Sequence, residues 1–278
     1  MKKILTAALL GLSLNSFADD APLWLRFSAI SPDGQTIAFS YKGDIFSVPV
    51  NGGTAKQLTT NSAYDAYPVW SPDGQKIAFA STREGSMDVY LMDKNGGVPK
   101  RLTTNSGSET PMAFTDNSHV LFTSAGMPTA KSIFFASGTF PQTYEVGIDA
   151  SRPRLYSPMT MYDVSIRSNG DILYHDAKGY EDNFRKHHRS PVTRDIWLYS
   201  KGNYTKLTDF NGEDRTPVWA GNDNAYYYLS EEDGTFNVYK RNIDGSGKKQ
   251  LTFHKKNPVR FLTVANNGTL CYGYDGEI

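Results

Sequence analysis

One cysteine, Cys271, is present among 278 residues. An intramolecular disulfide is therefore excluded, and the fold must be held by its core. Net charge is missing too, because 29 basic and 29 acidic side chains cancel. Without a field of one sign, nothing gathers a polyanion, so nucleic acid is not an expected partner. No Gly-x-Ser-x-Gly elbow, His-Glu-x-x-His helix or glycine-rich phosphate loop occurs. That leaves no recognisable nucleophile, zinc helix or nucleotide cradle, and no cofactor is expected. Gly245-Ser246-Gly247-Lys248 lacks the upstream glycine of a phosphate loop and reads as a hairpin turn. The apolar run at residues 4–14 is too short to cross a bilayer.

That run follows Met1-Lys2-Lys3 and precedes Ser16-Phe17-Ala18. A basic start, an apolar stretch of this length and small residues at its end make an export signal spanning residues 1–18, cleaved after Ala18. The expected location is the periplasm of a Gram-negative cell, with no membrane span after cleavage. Hydrophobic residues make up 39% and aromatic residues 13%, rich in Tyr and Phe, which favours packed strands.

Self-similarity then organises the chain. Ser31-Pro32-Asp33-Gly34 returns forty residues later as Ser71-Pro72-Asp73-Gly74. Degenerate versions follow at Thr115, Arg167, Ala220 and Ala265, at intervals of 44, 52, 53 and 45. A second series ends the units at Leu58-Thr59, Leu102-Thr103, Leu207-Thr208 and Leu251-Thr252, and unit three lacks it. In the cleanest unit, Pro68-Val69-Trp70 reads as an inner strand and residues 76–81 as a second. A polar loop over 82–86, a third strand over 88–92, an Asn95-Gly96-Gly97 turn and an edge strand over 99–103 complete it. Such units, 40 to 53 residues long, are four-stranded antiparallel blades, and the fold class is an all-β propeller. The blades are expected near 23–60, 65–104, 109–157, 161–209 and 214–253, with a partial sixth at 258–278. The full protein would be six-bladed, its sixth blade truncated here, and this chain alone is not expected to close the ring. Trp70, Trp219, Phe39, Phe79, Phe122 and the Tyr226-Tyr227-Tyr228 run are assigned to the core between blades.

Two insertions break the pattern. Residues 127–142 of unit three carry Phe134-Phe135 and Phe140-Pro141, read as an altered third strand or a peptide-facing rim. Residues 175–195 of unit four hold three of the five histidines. A metal reading of His175, Asp176, Asp182, His187 and His188 is disfavoured, because adjacent histidines on one loop rarely converge on an ion. The preferred reading is a docking or peptide-binding loop of Arg185, Lys186, His187, His188, Arg189 and Arg194, whose cations could pair with carboxylates of a neighbouring domain or a peptide C-terminus.

The repeated Ser-Pro-Asp-Gly turns, the stretch from Leu25 to Gly34, the unit-four segment Tyr174-His175-Asp176-Ala177-Lys178-Gly179-Tyr180-Glu181-Asp182 and the stretch from Leu270 to Glu277 resemble tricorn-like peptidases. The resemblance implies the first propeller of a large exported serine peptidase, followed by a second propeller, a PDZ-like module and a catalytic core of the C-terminal-processing type. The family's catalytic residues belong to those later domains, and none maps here. The expected function is a non-catalytic propeller that guides peptides or unfolded chains to proteolysis. Its expected partners are downstream domains of the same polypeptide, peptide substrates and further copies of itself in a homo-oligomer. The alternatives are an interaction propeller resembling that of the Tol system, the propeller of a prolyl-oligopeptidase-type peptidase, and a propeller lyase resting on the histidine cluster.

Overall fold

The computed structural model describes residues 24–125, 140–178, 192–221 and 224–278. Among these residues every regular element is a β-strand, and none is a helix able to cross a membrane. Five antiparallel sheets of four strands and one of two are formed, each blade running in chain order from its inner strand outward. The inner strands are Arg26–Ile30, Asp65–Trp70, Glu109–Asp116, Tyr162–Ile166, Asp214–Trp219 and Arg260–Val264. Each packs against the next around a common axis, and the last packs against the first.

The seams between blades hold the core. Second-strand residues alternate between the two faces, and both faces are apolar, as expected of a sheet covered on both sides. Ala78 joins Phe114, Val120 and Phe122 of blade three, whereas its neighbours Ile77 and Phe79 join Ala38, Ile45 and Leu58 of blade one. The remaining seams repeat this arrangement through clusters centred on Tyr174, Trp219, Phe236 and Cys271. Trp70 and Trp219 do stand between blades. Their indole N–H groups donate to the main-chain oxygens of Ala29 (2.9 Å) and Ser165 (3.1 Å), each on the preceding blade. Phe39, Phe79, Phe122, Tyr226 and Tyr228 are buried, and Tyr227 is half-buried.

Both repeated motifs are hydrogen-bonding devices. In the turn, Ser31 Oγ donates to Asp33 Oδ1 (2.5 Å) and accepts from the Thr36 N–H (3.0 Å), while Asp33 Oδ1 also accepts from the Gln35 N–H. The Ser71–Lys76 turn repeats each bond. Gly34 and Gly74 take φ of 73° and 66°, conformations that a side chain disfavours. The Leu-Thr motif clasps the edge strand to the third strand. Thr59, Thr103, Thr208 and Thr252 accept through Oγ1 from the N–H groups of Ile45, Val89, Ile196 and Val238 at 2.8–3.0 Å. The residues before those acceptors' partners, Asp44 and Asn237, receive the hydroxyl protons of Thr59 and Thr252.

Three expectations need correction. The polar loop over 82–86 is a continuation of the hairpin: strands Lys76–Glu84 and Ser86–Asp93 meet at Gly85, whose φ is 106°. The third strand of blade three is Gln142–Gly147, after Phe140-Pro141, so that pair forms no part of it; Phe134 and Phe135 lie outside the described residues. The ring closes at its inner layer, because strands Arg260–Val264 and Leu270–Gly273 already provide the seam with blade one. There Ile30 N–H donates to Thr263 Oγ1 (3.1 Å), Leu25 N–H to the Gly276 carbonyl (2.9 Å), and Asn266 N–H to the Pro32 carbonyl (2.9 Å).

Candidate functional site: the axial throat

Each inner strand slips register against its neighbour near its start, within its second to fourth residues. A bulge re-aims a side chain, and here it falls once per blade on the strands that pack against one another around the axis. In five blades one residue of the slip is left-handed although not glycine: Phe27 (52°), Tyr67 (57°), Asp163 (48°), Thr216 (52°) and Phe261 (56°). Blade three has Pro111 there, whose ring forbids a positive φ, and the slip takes another form. Left-handed aromatic or branched residues are strained by about 1–3 kcal/mol each and persist where the surroundings over-determine them, commonly at functional sites.

These residues divide the throat into two arcs. Blades six, one and two supply an aromatic arc in which the Phe27 ring lies 4.0 Å from Tyr67 and 5.0 Å from Phe261, centre to centre. Blades four and five supply a polar arc. Thr216 Oγ1 donates to Asp163 Oδ2 (2.6 Å), Thr216 N–H donates to His175 Nδ1 (3.3 Å), and Tyr162 stacks on the His175 ring. Behind them Glu213 lies 2.5 Å from Arg194 and 3.5 Å from Arg215, and the Arg215 guanidinium sits 4.0 Å above Phe236. The Asp163 side chain remains 47% exposed.

Burial sets the protonation states. It drives His175 down to about 4, against the pull of Asp163, so the imidazole is neutral. It also lowers Arg215 to about 10 and raises Tyr67, which Tyr64 and then Asp163 raise further. The trio of His175, Asp163 and Thr216 is not wired as a nucleophile relay, because the threonine proton goes to the carboxylate and the imidazole accepts from a main-chain N–H. What the throat offers is a short collar with one face for apolar side chains and another with hydrogen-bonding groups.

Of the expected docking residues, Arg185, Lys186, His187, His188 and Arg189 lie outside the described residues. Arg194 is 9% exposed and ion-paired with Glu213 at the start of blade five, so it serves the inside of the ring, not a loop surface. Of the metal alternative, His175 and Asp176 are held by main-chain and indole donors, and Asp182, His187 and His188 are not described; no group of three metal-binding side chains forms among the described residues. The throat itself went unread in the sequence. Its signal was available as a fixed offset, since Phe27, Tyr67, Pro111, Asp163, Thr216 and Phe261 each stand four residues before a repeated turn.

A family model described as the tricorn protease N-terminal beta propeller domain matches residues 22–278. The chain belongs to this family. It is 28% identical over 236 residues to "Tricorn protease homolog 1" of Streptomyces coelicolor, covering 84% of this chain and 21% of that protein. The chain thus spans about a fifth of the length of that relative. The solved tricorn protease superposes with a TM-score of 0.72 at 20% identity, over 90% of this chain and 25% of the other. TolB of Acinetobacter baumannii shares the fold, with a TM-score of 0.61 at 19% identity over 84% and 55% of the two chains.

Proposed function

We propose that this tricorn-family propeller guides peptides or unfolded chains as the non-catalytic first propeller of an exported serine peptidase. The observation that carries the reading is the two-faced throat: an extended peptide shows side chains to opposite sides along its length and main-chain groups throughout, and an aromatic arc facing a polar arc suits both. Family membership supports the setting, because the tricorn relative is about five times longer than the matched segment. A periplasmic setting, with the mature protein beginning at Asp19, is part of this proposal and draws on the basic start, apolar run and small residues of positions 1–18. Arg185 and Arg189 dock a downstream domain or a peptide.

The test compares the chain alone with the longer polypeptide that carries it. The chain alone should hydrolyse no peptide, and Phe27→Ala with Tyr67→Ala in the longer polypeptide should change which peptide lengths are cleaved while cleavage of a dipeptide reporter is unchanged. Peptidase activity of the pure chain, abolished by a serine-directed inhibitor, overturns the assignment. A second reading, a partner-binding propeller, draws on the shared fold with TolB; it predicts a stable protein complex and no effect of the throat variant on any peptide.

A further inference from the structure

A second concavity lies away from the axis. A cavity of about 300 Å³ opens between blades three and four, lined by Phe140, Met159, Tyr174, Asp176, Trp197 and Tyr204 among others. Phe140, Met159 and Tyr204 are 44%, 44% and 42% exposed, a concentration of bare apolar surface around one opening, whereas Tyr174 at 1% closes its depth. Concave sites lined by aromatics with a few fixed polar groups are where ligands bind.

The polar group is Asp176. Its Oδ1 accepts from the Asp195 N–H (2.8 Å) and its Oδ2 from the Trp197 indole N–H (3.1 Å), which hold the carboxylate at the aromatic wall and leave it acceptor capacity. Lys178 comes within 3.8 Å of Asp176 but directs its ammonium to Asp195 and to the Thr193 carbonyl (2.7 Å). Burial, the dominant influence on Asp176, raises its carboxyl, and a cation in the cavity would offset that burial.

We propose that this pocket binds the guanidinium of an arginine side chain on an extended peptide. A flat cation suits a pocket walled by Trp197, Tyr174 and Tyr204 while donating to Asp176, and arginine is better suited than lysine because its plane stacks on aromatic rings and its charge is weakly hydrated. The pocket rests on the peptide-handling reading, and it is separate from the throat, so the two can fail independently.

The experiment measures fluorescence anisotropy of three labelled peptides on the full chain, identical except for arginine, citrulline or norleucine at one position, with arginine amide as a small competitor. The arginine peptide should bind at least about tenfold more tightly than citrulline, consistent with about 1.4 kcal/mol for a stacked and paired cation. Asp176→Asn should remove that preference, and Met159→Trp, at an exposed position, should block all three peptides without lowering the melting temperature. Equal binding of the three peptides, or preference for norleucine, overturns the arginine assignment and leaves the peptide-handling reading standing. If only arginine amide binds, dependent on Asp176, the pocket stands and the peptide-handling reading falls. Binding of none of these probes overturns the pocket.

Discussion

Buried ionisable side chains dominate the residue scale. Burial lifts Glu109 to about 7, with its hydrogen-bonded neighbour Asp88 adding to the rise, and lifts Asp214 to about 7. Their unfolded values are near 4.5 and 3.8, so these groups favour the folded state at low pH and lose that contribution as pH rises through about 7. His175 works in the other direction: lowered from 6.5 to about 4, it favours the fold above 6.5 and withdraws that support as pH falls through 4. Thermal unfolding followed by circular dichroism should therefore show a melting temperature that declines from pH 5.5 to pH 8, and Glu109→Gln should flatten that decline. An unchanged slope in the variant would show that the Glu109 carboxyl does not titrate there. Trp219 is a second single-residue hinge of stability. Trp219→Phe keeps most of the buried ring but strips the Ser165 carbonyl of its donor and shrinks the surface on which Arg167 stacks at 3.5 Å. Denaturant titration should register a loss of about 1–3 kcal/mol.

At the scale of the element, the blade edge explains the shortness of the outer strands. Lys56–Gln57, Lys100–Arg101 and Lys249–Gln250 are two residues long, and short charged edges resist pairing with other chains. What holds them is the threonine clasp that follows, reinforced in blade two by Arg101 on Asp88 (2.8 Å) and in blade four by Lys206 on Asp195 (2.9 Å). Thr103→Val preserves shape and leaves the Val89 N–H without its acceptor in a buried place. The expected result is a loss of about 1–3 kcal/mol, read as a lower denaturant midpoint with faster hydrogen exchange in residues 86–93. Retention of wild-type stability would mean that the Leu-Thr series marks packing of the leucine alone. The sequence made the recurrence visible but not its mechanism, because the Asp-Ile, Asp-Val and Asn-Val partners stand 12 to 14 residues upstream in another strand. Among the described residues blade three forms no such clasp, and its edge is the longer strand Arg154–Ser157, held by Arg154 on Glu145.

The whole molecule is a ring whose weakest seam should lie where the two-stranded sixth unit meets blade one. Cys271 sits in that seam, 5% exposed beside Ile30, Ile37 and Ala265, with burial raising its thiol. A buried, raised thiol is inert, so alkylation of Cys271 in native buffer should proceed only as the seam opens, and far more slowly than in denaturant. Rapid labelling of the native chain would mean that blades one and six are not closed against each other. Much of this architecture was legible beforehand. The forty-residue recurrence of Ser-Pro-Asp-Gly, the Pro-Val-Trp strands and the alternation on second strands specify blade count, strand order and core, because turn chemistry and side-chain period are local properties of the chain. Arg194 shows where that reach ends: as a cation beside a loop it reads as a docking group, yet Glu213 of the next blade claims it. The throat shows the same boundary. Phe27 and Phe261 are 234 positions apart and Asp163 meets Thr216 across 53, so aromatic and polar arcs exist only once six bulged strands are wrapped around one axis. Local sequence determined the blades; ring closure decided which side chains face one another, because contacts between blades join residues whose separation no turn or period encodes.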